Sequence, residues 1–163
     1  AEAKGVELDL GIRPHISTEV RAGLTFKKGR YDSPHEDFNT RKFLRTPDLT
    51  GNIRFNISPI DRINIFLAGN YIGKAEVPHE VSVEGQEEPE LILEESDSFF
   101  QMDLGFIYKL PLNKGLNTKI NFGMKNITNA YQKDLDKGVD RDPAYVYGPV
   151  RPRTFYFGVE TAF

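Results

Sequence analysis

The chain has 163 residues, of which 39% are hydrophobic and 12% aromatic, enough apolar material to fold as one domain. Its formal net charge of -3 excludes a protein that binds polyanions through a basic surface, so no nucleic-acid partner is expected. The absence of cysteine excludes disulfides, thiolate metal sites and cysteine nucleophiles. No run of residues approaches the roughly 18 consecutive apolar positions of a transmembrane helix.

Alternation of apolar and polar residues recurs along the chain and predicts β-strands with one apolar and one polar face. Seven segments show it, and their apolar positions run from Val6 to Ile12, Ile16 to Phe26, Leu49 to Ile57, Ile63 to Tyr71, Phe100 to Tyr108, Leu116 to Met124 and Phe155 to Phe163. The sequence therefore predicts an all-β, antiparallel fold.

The predicted connections alternate between short and long. Short turns are expected at Pro14-His15, at Pro59-Ile60 and from Pro111 to Gly115, and long loops at 28–46, 75–97 and 129–151. This asymmetry is typical of bacterial outer-membrane barrels, whose short turns are periplasmic and whose long loops are extracellular. We therefore expect the first strand to run away from the cell surface and the last to end at the periplasmic rim.

Strand length and charge favour a transmembrane barrel segment. The predicted strands have about ten or more residues, close to the ~9–11 needed to cross a bilayer. Their polar faces carry fixed charges, as suits a water-filled lumen. Aromatic residues lie near strand ends, where an interfacial girdle would place them: Phe26, Tyr71, Tyr108, Phe155 and Phe163.

Two alternatives stay open at this point. A soluble β-domain that binds a partner through its loops would bury the apolar faces against each other. A small stand-alone outer-membrane barrel would need an eighth strand, for which residues 81–93 are the candidate. Bacterial single-chain barrels have an even number of strands. The seven strands are therefore expected to be completed by another segment or chain.

Two stretches resemble a known family. The segment from Asn126 to Phe163 resembles the C-terminus of TonB-dependent outer-membrane receptors, especially those of Bacteroidetes, and the segment from Thr46 to Lys74 is similar to an earlier strand pair of the same family. The matching motif residues are Asn126, Ile127, Asn129 and Tyr131, then Pro152, Arg153, Thr154 and Phe155, with Phe163 at the end.

The resemblance implies a 22-stranded barrel in the outer membrane, closed by an N-terminal plug domain, with residues 1–163 as its last seven strands. It implies uptake of a scarce nutrient, namely an iron-siderophore complex, haem, cobalamin or a glycan, energised by the inner-membrane TonB complex. The implied partners are membrane lipid, the remainder of the barrel, the plug and, through the plug, the TonB complex. The plug itself is expected to lie outside this chain.

The last strand resembles the family's assembly signal, in which alternating aromatics and a terminal Phe engage the barrel-assembly machinery. The residues that carry this resemblance are Arg153, Phe155, Phe157, Val159 and Phe163. An ordinary lipid-facing strand is a compatible interpretation.

The last long loop offers candidate contacts for a small-molecule ligand. Aromatic rings stack on ligands and arginine pairs with anions, which points to Arg141, Tyr145, Tyr147 and Arg151; packing within the loop is the alternative. Loop 75–97 is rich in carboxylates and 27–45 in lysine and arginine, and solvated faces are favoured over pairing between them.

No metal, cofactor or catalytic site is expected. Asp134, Asp136, Asp140 and Asp142 alternate as in a calcium loop, but the bidentate Glu of such loops is missing, so a solvated acidic loop is favoured. His15, His35 and His79 lie in separate connections and do not have the spacing of a zinc site. Neither a nucleophile elbow nor a phosphate-binding glycine loop is present, which argues against an enzyme.

Overall fold

The computed structural model describes residues 1–83, 85, 88–112 and 116–162. Residues 113–115 of the turn predicted from Pro111 to Gly115 lie outside the described residues, as do Glu84, Glu87 and the terminal Phe163. Within the described part the chain forms β-strands and irregular loops, with no helix long and apolar enough to span a membrane. The strands are β1 (Glu2–His15), β2 (Thr18–Arg30), β3 (Leu49–Ile60), β4 (Ile63–Ile72), β5 (Glu76–Val81), β6 (Glu90–Glu95), β7 (Phe99–Leu110), β8 (Asn117–Lys125) and β9 (Thr154–Ala162).

Seven of these strands form one antiparallel sheet in the order β1-β2-β3-β4-β7-β8-β9. They correspond one to one with the seven segments predicted from alternation. Their lengths of 9 to 14 residues are sufficient to cross a bilayer. The all-β, antiparallel prediction is therefore confirmed.

The register places like residues beside like across the whole sheet. One row of directly paired positions crosses all seven strands and is entirely apolar: Ile12, Val20, Phe55, Leu67, Leu104, Met124 and Phe155. A row on the other face is polar: Asp9, Gly23, Asn52, Asn70 and Gln101. A one-residue slip in any strand would exchange the two faces, so the pattern fixes the register.

The apolar face is not covered by a second layer among the described residues. Leu8 is 58% exposed, Phe122 46% and Phe157 71%. The accessible surface is 11812 Å², whereas a compact monomer of 18.5 kDa exposes ~8,200 Å². A soluble sandwich would bury these faces against each other, so the soluble β-domain alternative is wrong.

Two short turns lie two residues later than predicted. The β1–β2 turn is at 16–17 and the β3–β4 turn at 61–62, because the ladders continue past Pro14 and Pro59. Register shifts occur at both places, between Ile12 and His15 and between Ile57 and Ile60. Proline donates no ladder hydrogen bond but is tolerated at a bulge, so it marked an irregularity near the strand end rather than the turn.

The loop expected at 75–97 contains secondary structure. β5 and β6 pair as an antiparallel hairpin that forms a separate two-stranded sheet. The described residues of 81–93 therefore do not supply the eighth strand of the large sheet that the stand-alone barrel required. In the part of the chain that the structure describes, β1 and β9 each pair on one side only.

Candidate functional site at the junction of three loops

Three loops converge at one end of the sheet. We call them L1 (31–48, between β2 and β3), L2 (73–98, between β4 and β7, including the β5–β6 hairpin) and L3 (126–153, between β8 and β9). Arg45 of L1 joins the other two: its backbone N–H donates to the carbonyl of Glu76, 2.7 Å away, and its guanidinium donates to the carbonyls of Ala144 and Val146 at 2.9 and 3.3 Å. The loops therefore form one packed layer.

A buried asparagine fixes the two ends of L3. Asn126 is 2% exposed, and its Nδ2 donates to the carbonyls of Ala130 and Arg151, both at 2.9 Å. Its positive φ of 51° is a left-handed conformation that asparagine tolerates better than most residues. Arg153 donates from its guanidinium to the carbonyl of Ile127 at 2.7 Å, and from its backbone N–H to Asn129 Oδ1 at 3.1 Å. The motif residues of the sequence thus tie the end of β8 to the start of β9.

Gln132 organises the middle of L3. It is 2% exposed, and its Nε2 donates to the carbonyl of Tyr145 at 3.1 Å. Its Oε1 accepts from the backbone N–H groups of Tyr147 and Gly148 at 2.9 and 3.3 Å. Because the nitrogen and the oxygen of this buried amide both bond to the backbone of L3, Gln132 holds Tyr145 and Tyr147 in place.

Tyr145 is the buried centre of the L2–L3 contact. It is 1% exposed, and the ring of His79 stacks on it with centroids 3.7 Å apart and an interplanar angle of 10°. The Tyr145 hydroxyl lies 2.6 Å from Glu94 Oε2 and 3.0 Å from Asp134 Oδ2, so two carboxylates compete for its proton. Tyr147 donates to the same Asp134 oxygen at 2.6 Å.

His79 is flanked by two carboxylates. Its Nε2 lies 2.9 Å from Asp136 Oδ2. Its Nδ1 lies 3.3 Å from Glu94 Oε1, close enough for charge attraction but not aligned for a hydrogen bond. Asp142 extends the contact by accepting the backbone N–H of Glu80 at 3.1 Å. We call His79, Glu94, Asp134, Asp136 and Tyr145 the loop clasp.

The ionisation of the clasp follows from these contacts. Burial opposes charge on the imidazole, but the carboxylates of Asp136 and Glu94 outweigh it and raise the pKa of His79 above its usual value. The hydrogen bond from His79 lowers the pKa of Asp136. Burial and the bond to Asp134 raise the pKa of Tyr147 to about 12, and burial with two carboxylate neighbours raises the pKa of Tyr145 further. The contact with Asp136 therefore favours the protonated imidazole of His79 and the ionised carboxylate of Asp136.

A cavity of about 220 Å³ opens where the three loops meet. Its lining includes Arg45 from L1, Val77 and Asp97 from L2, and Tyr147 from L3. Two aromatic residues, Phe99 and Tyr147, thus line the same space as one cation and one carboxylate. This cavity is the candidate ligand-contacting site of the described residues.

The structure separates the four candidate contact residues. Tyr147 lines the cavity, whereas Tyr145 is buried in loop packing, the alternative that the sequence left open. Arg141 and Arg151 are exposed on L3, and ligand contact stays a prediction for them. Of the assembly-signal residues, Phe155, Phe157 and Val159 lie on the exposed apolar face of β9, while Arg153 anchors L3.

Sequence reasoning missed several residues of this junction: His79 as a packing residue, Glu94, Gln132 and Arg45. No periodic pattern marks them, because their partners come from other loops. Among the residues that the structure describes, no group of three or more His, Asp or Glu side chains is placed to hold a metal ion. One contact between oppositely charged loops does form, since Lys42 Nζ lies 2.6 Å from Glu76 Oε1. The expectation of fully solvated loop charges is wrong at this position.

No protein-family model matches the chain, and no curated protein does. Solved structures match it over nearly its whole length. The closed form of the ferric-catecholate import receptor Fiu from E. coli K12 superposes with a TM-score of 0.63 at 17% identity, covering 98% of this chain and 20% of that receptor. A mutant of the ferric enterobactin receptor PfeA from Pseudomonas aeruginosa, in complex with enterobactin, gives 0.63 at 19% identity, covering 98% and 22%.

The chain thus spans about a fifth of the length of these receptors. At such low identity the likeness establishes the fold. The exposed apolar face, the polar opposite face and the loop layer at one end match the wall of these barrels. The chain therefore has the fold of a segment of the antiparallel β-barrel of TonB-dependent siderophore receptors, which confirms the resemblance in its sequence at the level of the fold.

Proposed function

We propose that this chain is part of the wall of an outer-membrane receptor that takes up a scarce nutrient with energy from the TonB complex. The observation that carries the proposal is the segregation of the sheet into an exposed apolar face and a polar face, continuous over seven paired strands. An apolar face of this extent needs lipid against it, and transmembrane barrels meet that need. The chain acts in binding and transport rather than catalysis.

The free edges of the sheet define the partners within the barrel. β1 and β9 each have one edge without a paired strand in the described residues, and in lipid each unsatisfied backbone group costs several kcal/mol. Further strands therefore close the barrel, in a total of 22 if the family pattern holds. The polar face lines the lumen and contacts a plug domain, through which the TonB complex acts.

The ligand is a small molecule held at the loop junction. The structures that the chain resembles include receptors for ferric catecholates and enterobactin, which favours an iron-siderophore complex over haem, cobalamin or a glycan. Tyr147 and Arg45 line the junction cavity, and Arg141 and Arg151, which are exposed on L3, are proposed as further cationic contacts. Aromatic stacking and arginine pairing suit an anionic, aromatic chelate.

The last strand directs assembly. Phe155 is 73% exposed and Phe157 71%, both on the apolar face, so β9 offers an alternating aromatic edge to the barrel-assembly machinery. Arg153 supports this edge because its guanidinium, just before β9 begins, donates a hydrogen bond to the carbonyl of Ile127. Phe163 completes the proposed signal.

The test is uptake by the whole protein that contains this chain. Iron-starved cells deprived of their own siderophore receptors are expected to regain growth on a ferric catecholate when the protein is supplied, and to lose it when the TonB complex is removed. Haem, cobalamin and a glycan, each as the sole source of the limiting nutrient, form the comparison arms. Uptake that persists without the TonB complex, or recovery of the protein in the soluble fraction, would contradict the proposal.

A further inference from the structure

Charge is confined to one place on the apolar face of the sheet. Side chains alternate between faces along each strand, so the residues that share the apolar face follow from the register. Within the described strands of the large sheet, the charged residues with this parity are Glu2 and Lys4 of β1 and Lys28 and Arg30 of β2. All four lie at the end of the sheet that carries the loops.

The local arrangement leaves cations without partners. Lys4 is directly opposite Lys28, a like-charged pair of the kind that destabilises a sheet unless an anion is present. Lys4 has a carboxylate neighbour, with Nζ 2.8 Å from Glu2 Oε1. Among the described residues, Lys28 and Arg30 have no carboxylate within 4.0 Å, and both are exposed. The patch thus carries an excess of two positive charges.

The position of the cationic patch along the strands indicates its depth in the membrane. The next pair along the apolar face is Val6 opposite Phe26, and these side chains are 59% and 47% exposed. From that pair to the Lys4–Lys28 pair is two residues, roughly 7 Å along the strand. Along this face the apolar row is followed by an aromatic side chain and, two residues further on, by cations. A membrane protein shows the same order where its surface passes from the hydrocarbon to the lipid headgroups.

We propose that Lys4, Lys28 and Arg30 bind the phosphate of a phosphorylated lipid in the outer leaflet, while its acyl chains lie on the apolar face beneath. The inference rests on the proposed function, which sets the orientation of the sheet in the membrane. Arg30 can donate two parallel hydrogen bonds to phosphate oxygens, and the lysines contribute point charges. Glu2 is paired with Lys4 and lies directly opposite Arg30 in the register, so its carboxylate offsets part of the positive charge of the patch and leaves the excess of two that the phosphate meets.

The experiment measures lipid retained by the whole protein, using native mass spectrometry after release from lipid nanodiscs. One set of nanodiscs contains dioleoylphosphatidic acid, and the other contains dioleoylglycerol, which has the same acyl chains without phosphate. We expect the wild-type protein to retain the phosphorylated lipid selectively. The variant with Lys4→Gln, Lys28→Gln and Arg30→Gln is expected to lose retention by about fivefold for each cation removed.

A matched control removes the same number of charges from the opposite face. Lys109, Lys119 and Lys125 lie on the polar face, and Lys109 and Lys119 are also directly opposed in the register. Changing all three to Gln is expected to leave lipid retention unchanged. Equal retention by the apolar-face variant, equal retention of dioleoylglycerol, or displacement of the lipid by inorganic phosphate would each overturn the inference. TonB-dependent uptake by the apolar-face variant separates this failure from failure of the proposed function.

Discussion

One buried hydroxyl connects L2 to L3. Tyr145 is 1% exposed and places its hydroxyl between Glu94 and Asp134. We expect Tyr145→Phe to lower the local stability of residues 132–147 by about 1.5–3 kcal/mol, because a hydrogen bond to a charged group is lost and the carboxylates stay partly buried. Amide hydrogen exchange of the folded protein measures this change.

The matched control is Tyr131→Phe. Tyr131 is in the same loop but is 47% exposed, so removal of its hydroxyl is expected to change protection little. Equal exchange in the Tyr145 variant and the wild type would mean that the hydroxyl does not hold the loops together.

The loop clasp is expected to depend on pH in both directions. The pKa of His79 is raised above 6.5, so its contribution is complete below 6.5 and is lost as pH rises through the raised value. The pKa of Asp136 is lowered below 3.8, so its contribution is complete above 3.8 and is lost as pH falls through the lowered value. The loops are therefore most stable between these limits, and exchange corrected for intrinsic rates should be slower at about pH 5.5 than at about pH 8.

Removal of the imidazole tests this dependence. His79→Gln is expected to abolish the difference in exchange rate between about pH 5.5 and about pH 8. His15→Gln, at the opposite end of the sheet, should leave the difference as in the wild type. An undiminished difference in the His79 variant would assign the pH dependence to another group.

At this scale the sequence predicted which face each strand residue occupies, but few of the loop contacts. Alternation assigns Leu67 and Asn70 to opposite faces without any knowledge of their neighbours. By contrast, Gln132 and His79 have partners far away in the sequence, and only the folded loops bring them together. Asn126 was found through its motif, although its buried, left-handed position became known only with the fold.

The elements themselves were largely predictable, because a seven-stranded sheet with two distinct faces repeats one signal many times. The errors came from residues that occur in more than one kind of local structure. Pro14 and Pro59 were interpreted as turns but lie in bulged strand ends. The β5–β6 hairpin was missed because its strands have six residues each and Pro78 lies within β5. Val77 and His79, both buried on one side of β5, were the available signal.

The faces of β4 give a direct test of the membrane assignment. Leu67 lies in the apolar row near the middle of the strand, and Asn70 lies on the polar face. We expect Leu67→Arg to reduce the stability of the barrel by about 2–4 kcal/mol, since arginine is costly on a lipid face near the bilayer midplane. Heat-modifiable migration of the whole protein and its recovery from outer membranes measure folding and assembly.

Asn70→Arg introduces the same side chain three residues away. Because it faces the lumen, the variant is expected to assemble as well as the wild type. Equal defects in the two variants would mean that the apolar face does not contact lipid.

At the scale of the whole molecule, the large sheet and the loop layer are separable. The β5–β6 hairpin shares no ladder with the large sheet, and its ends already meet: the backbone N–H of Ser96 donates to the carbonyl of Ala75 at 2.8 Å. Replacing residues 76–95 with a short glycine-serine link is therefore expected to leave barrel assembly intact. Uptake should fall, since the deletion removes His79 and Glu94 of the loop clasp, which hold L3 in place, and Val77 of the cavity lining.

Loss of assembly in this variant would contradict the separation, because it would make the hairpin necessary for the large sheet. Retained uptake would mean that the ligand site does not need the β5–β6 hairpin or the clasp contacts that it supplies. A control with the link inserted between Asp61 and Arg62, in the short turn at the other end of the sheet, should affect neither property.

The size of the complete barrel was beyond the reach of sequence patterns. Alternation predicts the strands that are present, and an odd number argues for more, but strand number and closure depend on pairing at the free edges of β1 and β9. The strands and their two faces, by contrast, followed from the period of two that each strand obeys, whereas the exposure of the apolar face became known only with the fold.

Within the described residues, the hydrogen bonds of Arg45 to L2 and L3 go to main-chain carbonyls, those of Glu76, Ala144 and Val146. Such contacts do not depend on which side chains the partner residues carry. We therefore expect the exposed surfaces of L2 and L3 to diversify under pressure from phages or antibodies while the loop architecture persists. Arg45 itself is expected not to vary.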